Sequence, residues 1–250
     1  MARSPSDALV IDADVLARLA DAPLTPEGRL AAASNHTLLV RVGGGADELR
    51  AIYKPRNGER PLWDFPSGTL HLREAAAYRV SEFLGWGLVP PTVIRDGPAG
   101  VGSVQLFVPH DPRRHYFALV EDAGNRSALA RLAVFDLVCN NADRKASHVV
   151  LADDGRIFGC DHGLTFHPDP KLRTVIWELA GAPIQPEWRT DLDRLAGALQ
   201  SVDQISDVGL DGLIDGEEIE ALRLRAAVVA GLDELPDVAE DQRPYPWPLL

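Results

Sequence analysis

The chain reads as an α+β protein, with strand-like segments crowded into its first 108 residues and helix-like segments filling the rest. Three observations carry that expectation. "HTLLVRV" and "LRAIYK" are short apolar runs parted by "GGGAD", the pattern of a hairpin. "PTVIRDGPAGVGSVQLFVPHD" repeats the pattern around a D-G-P-A-G turn. From "SALARLAVFDLVCNNA" onward, long helical patterns dominate, broken by one small hairpin, "HVVLADDGRIFGCD".

The remaining elements follow in order. Residues 7 to 20 read as a short helix. The glycine triplet is a turn and not a phosphate loop, because no G-K-[ST] follows it. "NGERPLWDFPSG" is a loop. "TLHLREAAAYRVSEFLGWG" is the clearest helix, with Leu72, Ala76, Val80 and Phe83 on one face and Gly85 and Gly87 ending it. After an irregular stretch to about residue 186, "PEWRTDLDRLAGALQ" and "GEEIEALRLRAAVVAGL" are helices, and the proline-rich "RPYPWPLL" packs in an extended form. The division expected is a β-rich N-lobe over 1–108 and a mainly helical C-lobe over 109–250, joined near Val108 to Asp111.

Bulk properties exclude several classes. At 250 residues, 46% hydrophobic and 25% charged, the chain has the composition of an ordinary globular protein. No apolar run approaches the roughly 20 residues of a membrane span. "MARSPSDALVIDADVLARLADAP" has acids inside its apolar stretch and does not read as a secretory signal. Cys139 and Cys160 lack C-x-x-C spacing and read as buried thiols, which points to the cytoplasm. The net charge is −12, and residues 187–250 hold fifteen acids against five arginines, so the excess is C-terminal. That balance argues against nucleic acid or an anionic membrane as a general partner and leaves a protein partner open.

The chemistry-bearing residues concentrate in "VCNNADRKASHVVLADDGRIFGCDHGLTF", residues 138 to 166. Asp143, Lys145 and His148 have the spacing D-x-K-x-x-H, and Asp161 opens D-H-G. The hairpin between them brings Asp143, His148 and Asp161 together, and Gly163 is expected to free the backbone for a sharp turn. Upstream, Lys54 ends a strand and Glu74 sits in the strong helix. A lysine held by a helix carboxylate, acids that hold divalent metal and an acid near the attacking hydroxyl are the demands of phosphoryl transfer. Taken singly, each residue has an ordinary structural role, and His162 reads as a packing residue. His110 and His115 lack further ligands for zinc, and "DGLIDGEEIE" lacks the calcium-loop pattern.

With these motifs in their order, "SNHTLLVRV", "AIYKP", "REAAAYRVSEFLG", "GSVQLFV", "VFDLVCNNADRKASHVVL" and "IFGCDHGLTF", the chain resembles the protein-kinase-like superfamily. The resemblance is to its phosphatidylinositol 3-/4-kinase-like and HipA-like branch, in particular a group of small actinobacterial proteins, and covers about residues 27 to 166. It implies a two-lobed protein-kinase-like fold that uses ATP and a divalent metal. Lys54 would contact the phosphates and pair with Glu74, with Ser34 and Asn35 in the turn that covers them. Gln105, Phe107 and Val108 would line the adenine site. Asp143 would be the catalytic acid-base residue, Lys145 would stabilise the transferring group and Asp161 would ligate metal. The family pattern D-x-x-x-x-N has asparagine where this chain has His148, which suits manganese better than magnesium. The acceptor is then a hydroxyl on a protein or small molecule, since no basic amphipathic segment reaches a lipid surface. Two other readings stay open: a nucleotide-binding pseudokinase acting as a regulatory module, and a nucleotidyl transferase.

Overall fold

A computed structural model describes residues 13–30, 35–45, 48–238 and 244–250. Helix α1 (Ala13–Asp21) precedes three strands, β1 (Leu24–Arg29), β2 (Leu38–Val42) and β3 (Leu49–Pro55). Helix α2 (Leu70–Leu84) leads to the hairpin of β4 (Thr92–Gly97) and β5 (Gly100–Leu106). These five strands form one antiparallel sheet in the order β1-β2-β3-β5-β4. Helices α3 (Tyr116–Leu119) and α4 (Arg126–Cys139) follow, then the two-stranded β6 (Val149–Leu151) and β7 (Ile157–Gly159). Helices α5 (Pro186–Ala198), α6 (Val202–Val208) and α7 (Gly216–Ala230) complete the chain. The fold is thus α+β, with a sheet-rich N-terminal part and a helical C-terminal part, as the sequence pattern predicts.

The expected helix over 7–20 is present from residue 13, and residues 7–12 lie outside the described residues. Two local expectations need correction. β1 was not expected: "LTPEGR" holds a proline and two charges, and five of its six residues are exposed. Among the described residues it is an edge strand that pairs only with β2, and it is irregular between Pro26 and Gly28, which is where proline is tolerated in a sheet. α2 does not show a single apolar face. Eleven of its fifteen residues are buried, because it lies between the sheet and the C-terminal helices. It ends, as expected, at Gly85, whose φ of 71° is the left-handed conformation that glycine adopts without a Cβ penalty.

The packing centres on two large apolar bodies, with two smaller clusters beside them. Val15 and Leu19 of α1 press on Val40, Val42, Ala51, Tyr53, Val104 and Leu106 of the sheet. A larger body gathers α2 and α4 with the C-terminal helices around Phe135, Leu132 and Leu222. The two parts are bolted through α2. Arg73, 1% exposed, pairs with Glu218 of α7 and donates to the Thr165 carbonyl at 2.7 Å. Glu218 also accepts the Asp215 N–H at 3.0 Å while its own N–H bonds Asp215 Oδ1 at 2.9 Å, so one carboxylate caps α7 and holds α2.

Beneath the β6–β7 hairpin lies a second buried charge pair. Arg144 and Asp136, both without solvent exposure, form two parallel bonds, Nε to Oδ2 and Nη2 to Oδ1, each 2.9 Å. Pro244–Leu250 dock on the same region. The Ala146 N–H donates to the Leu249 carbonyl at 2.8 Å, and the Thr174 N–H and Trp177 Nε1 both donate to the Pro244 carbonyl. Removing one partner of a buried pair strands the other charge. Asp136→Ala is therefore expected to lower unfolding free energy by about 3–5 kcal/mol in urea titration. A loss within surface-substitution range would refute the structural importance of the pair.

Candidate functional site

The loop that follows α4 is shaped by two asparagines. Asn140 ends the helix at φ 53°, in the left-handed region that asparagine tolerates. Its side chain bonds the carbonyls of His167 and Asp169 and accepts the Lys171 N–H at 2.8 Å. Asn141 donates to Asp136 and accepts the Asp143 N–H, each at 3.0 Å. Arg144 then points inward to Asp136, and its remaining donors reach the Cys160 carbonyl at 2.6 Å and His162 Nε2 at 2.7 Å. Since an arginine can only donate, His162 Nε2 accepts and the ring is neutral. Burial, reinforced by Arg144, holds its pKa well below the ordinary histidine value. With Arg144 turned in, Asp143 and Lys145 on either side turn out, and Lys145 Nζ lies 3.0 Å from Asp143 Oδ2.

Asp161 takes up the sharp turn after β7 itself, at φ 59°, and Gly163 does not have positive φ. The freedom expected of the glycine is thus supplied by an aspartate held in a sparsely populated conformation, which the neighbouring contacts must stabilise. Lys54, on β3, bonds Glu74 of α2 and also Asp161 Oδ1 at 2.7 Å. Glu74 in turn accepts the His162 N–H at 3.0 Å, tying α2 to the turn. Burial opposes the Lys54 ammonium, but the two carboxylates outweigh it and its pKa is raised. For Asp161, which is half exposed at the cavity but enclosed by protein on its other side, the desolvation is overcome by Lys54 and His148, and its carboxyl titrates well below the usual range. Burial raises Asp143 against the pull of Lys145.

His148 Nε2 lies 3.2 Å from Asp161 Oδ2, while its Nδ1 accepts the Lys145 N–H at 3.4 Å. Burial, with Arg144, Lys145 and Lys54 against Asp161, pushes its pKa down to about 4. At neutral pH the ring is uncharged, Nε2 carries the proton donated to Asp161, and no lone pair is free. Magnesium bound to phosphates commonly takes one or two protein carboxylates. Asp161, half exposed, fits that demand, whereas His148 in this tautomer does not. Among the described residues, no group of three or more His, Cys, Asp or Glu side chains is placed to hold a metal ion.

These side chains floor a cavity of about 270 Å³, lined by Lys54, Glu74, Asp143 and Asp161 together with Asn35, His36, Arg60 and Leu62. One wall is the segment 56–68, a strap that leaves β3 and arches to α2. Glu59 anchors it, accepting the Leu70 and His71 N–H groups at 3.2 and 2.8 Å and the His71 ring at 2.7 Å. At its far side Asp64 meets Lys171 at 3.0 Å, and Phe65 packs with Ala142 and Leu164 beside the loops that carry Asp143 and Asp161.

No protein-family model matches the chain. It is 41% identical over 274 residues to Protein Rv2133c of Mycobacterium tuberculosis, covering 96% of this chain and 97% of that protein. The chain belongs to the Rv2133c family. Over 165 residues, 56% of its length, this Rv2133c-family chain is also 28% identical to phosphatidylinositol 4-kinase gamma 4 of Oryza sativa subsp. japonica, of which it spans only 27%. Among solved structures, the Helicobacter pylori proinflammatory kinase CtkA overlays with a TM-score of 0.45 at 12% identity, over 85% of this chain and 95% of that one.

In the Rv2133c-family chain, Lys54, Glu74, Asp161 and His148 form one linked cluster, and Asp143, paired with Lys145, lines the same cavity. Asn35 lines the cavity, with its Oδ1 accepting the Arg60 N–H at 3.0 Å. Ser34 lies outside the described residues. Gln105, Phe107 and Val108 do not line this cavity. Gln105 is buried and donates to Thr92 Oγ1 at 2.9 Å, the Phe107 N–H bonds the Arg50 carbonyl, and Val108 packs with Val150, Ala152 and Phe158. Cys139 and Cys160 are both free thiols, and Cys160 is only partly buried. Sequence reasoning missed the Arg144–Asp136 pair, Glu59 and the strap. The strap carried little signal: of "LWDF" only Phe65 is buried, and Trp63 is 91% exposed.

Glu59 generates a pH-dependent expectation. Burial disfavours its charge, but the His71 ring and the two backbone N–H groups outweigh burial and lower its pKa. A depressed carboxyl stabilises the fold fully above the unfolded-state pKa and loses that contribution as pH falls through the folded value. Glu59→Gln should cost about 1 kcal/mol at pH 7, and its difference from wild type should shrink below about pH 4. Urea titrations at both pH values check this, and a difference independent of pH contradicts it.

Proposed function

We propose that this chain is a kinase-like phosphotransferase that binds ATP and passes its γ-phosphoryl group to a hydroxyl acceptor. The observation that carries the reading is Lys54 held between Glu74 and Asp161 at the floor of the cavity that also contains Asp143. A lysine fixed by a helix carboxylate presents a directed positive charge to phosphates, and a nearby aspartate can orient the acceptor hydroxyl. The local likeness to a rice phosphatidylinositol 4-kinase supports the same reaction class. A division into an N-lobe over 1–108 and a C-lobe over 109–250 belongs to this reading, with Ser34 and Asn35 toward the phosphates and Gln105, Phe107 and Val108 toward the base.

Lys54 would hold the phosphates, and Lys145, beside Asp143, would face the charge that develops during transfer. Asp143 would accept the hydroxyl proton. Its raised pKa moves it toward the range in which a carboxylate serves as a base, while Lys145 pulls in the opposite direction. Asp161 would hold a divalent metal, magnesium or manganese, whose charge offsets that of the phosphates. His148 would orient Asp161 through its Nε2–H, and its lack of a free lone pair assigns it a positioning part. Among the described residues no helix is long and apolar enough to cross a membrane, and the free thiols suit the cytoplasm. The engaged His148 ring also keeps in view a nucleotide-binding module without turnover.

Calorimetric titration with ATP plus magnesium or manganese tests the site. Binding should require metal and be lost in Lys54→Ala and Asp161→Ala. Asp143→Asn should retain binding yet lower phosphoryl transfer by roughly 10²–10⁴-fold. Absence of nucleotide binding with either metal would reject the proposal, and binding without turnover would favour the module.

A further inference from the structure

The strap gives the acceptor side of the cleft a shape and a charge. It crosses from the N-terminal sheet to the C-terminal part and is tied down along its length. At its root the His36 N–H bonds the Gly58 carbonyl at 3.0 Å, and the Arg60 N–H bonds Asn35. At its crest Asp64 and Lys171, 13% and 12% exposed, pair at 3.0 Å, and Lys171 Nζ lies 5.1 Å from the centre of the Trp63 ring. Phe65 is packed against Ala142, the residue before Asp143, and edge-on to His167 at 5.3 Å. A segment fixed at both ends and at its crest closes one side of the cavity instead of leaving an open groove for an extended polypeptide.

The charges lining the cavity are almost all matched. Glu59 is held by His71, Glu74 by Lys54, Asp161 by Lys54 and His148, and Asp143 by Lys145. Arg60, on the strap, lines the same cavity as Asp143 and has no ion-pair partner among the described residues. A guanidinium at the edge of such a cavity is a strong recognition group for carboxylate or phosphate. Leu62, Leu70 and Leu164 add an apolar side to the space.

We infer that the acceptor is a small hydroxyl-bearing anion, carrying a carboxylate or phosphate that Arg60 binds in the cavity walled by the strap. This rests on the phosphotransferase reading. In the transfer, the acceptor oxygen forms a bond to the γ-phosphorus, the bond from that phosphorus to the bridging oxygen of ADP breaks, and the hydroxyl proton passes to Asp143. Arg60 sets which molecule is held and takes no part in the bond changes.

The test titrates inorganic phosphate, as the anion probe, into wild type and Arg60→Ala, each saturated with the β,γ-imido analogue of ATP and magnesium. Saturable binding to wild type is expected, weakened roughly tenfold to a hundredfold in Arg60→Ala, with affinity for the analogue preserved. Arg60 is exposed and only its backbone N–H is used by Asn35, so the variant should fold. No phosphate binding to the loaded wild type, or equal binding to the variant, overturns the inference. Transfer of γ-label to casein by wild type overturns its small-molecule part, and casein left unlabelled is the expected result. Failure of the analogue to bind wild type counts against the phosphotransferase reading alone. Phosphate is then titrated into the protein without nucleotide, where the same comparison with Arg60→Ala decides the anion site.

Discussion

Arg144 carries a full positive charge where solvent does not reach, and every donor it aims inward finds an acceptor. Asp136 fixes it from α4, the Cys160 carbonyl from the strand end and His162 from the turn beyond. One planar group therefore sets the spacing of three segments that are separate in sequence. An apolar residue would fill the volume without specifying direction, and arginine's rigid fork supplies the direction. Because Arg144 is inward, its neighbours Asp143 and Lys145 turn outward and pair, with Asp143 on the cavity lining, and because Cys160 is held, Asp161 begins its turn where Lys54 can reach it.

The same economy of position governs the cavity floor. Lys54 meets two carboxylates from two different elements, so β3, α2 and the Asp161 turn are registered against one another by a single ammonium group. Charged groups already oriented by protein partners need little rearrangement when a polyanion arrives, which is the physical content of preorganisation. The cost appears in the backbone: Asp161 and Phe166 occupy left-handed conformations within one short stretch.

How much of this was legible in the sequence follows from the range of the interactions. The β4–β5 hairpin and the end of α2 are set by local turn chemistry, and both were readable. β1 carried no apolar alternation because an edge strand needs none, and α2 lost its one-sided pattern because it is buried nearly all round. Lys54, Glu74, Asp143 and Asp161 were legible through residue type and spacing. Arg144 was not, since a charged residue between two others looks solvated until Asp136 is placed beneath it. The strap was read as a plain loop because its anchors, Glu59 to His71 and Asp64 to Lys171, join residues 12 and 107 positions apart.

The Arg73–Glu218 bond places α2 in an uncommon mechanical position. A helix that carries a site carboxylate and touches only its own sheet can swing, and its displaced state then costs little. Here displacement of α2 would part a buried ion pair worth about 3–5 kcal/mol to break, which leaves fewer than roughly one molecule in a hundred with the helix out at equilibrium. An effector acting on this chain by moving α2 would have to supply that free energy through its own contacts. Control of the site by occupancy of the cavity meets no such threshold, whereas release of the strap would itself part the Glu59–His71 and Asp64–Lys171 pairs.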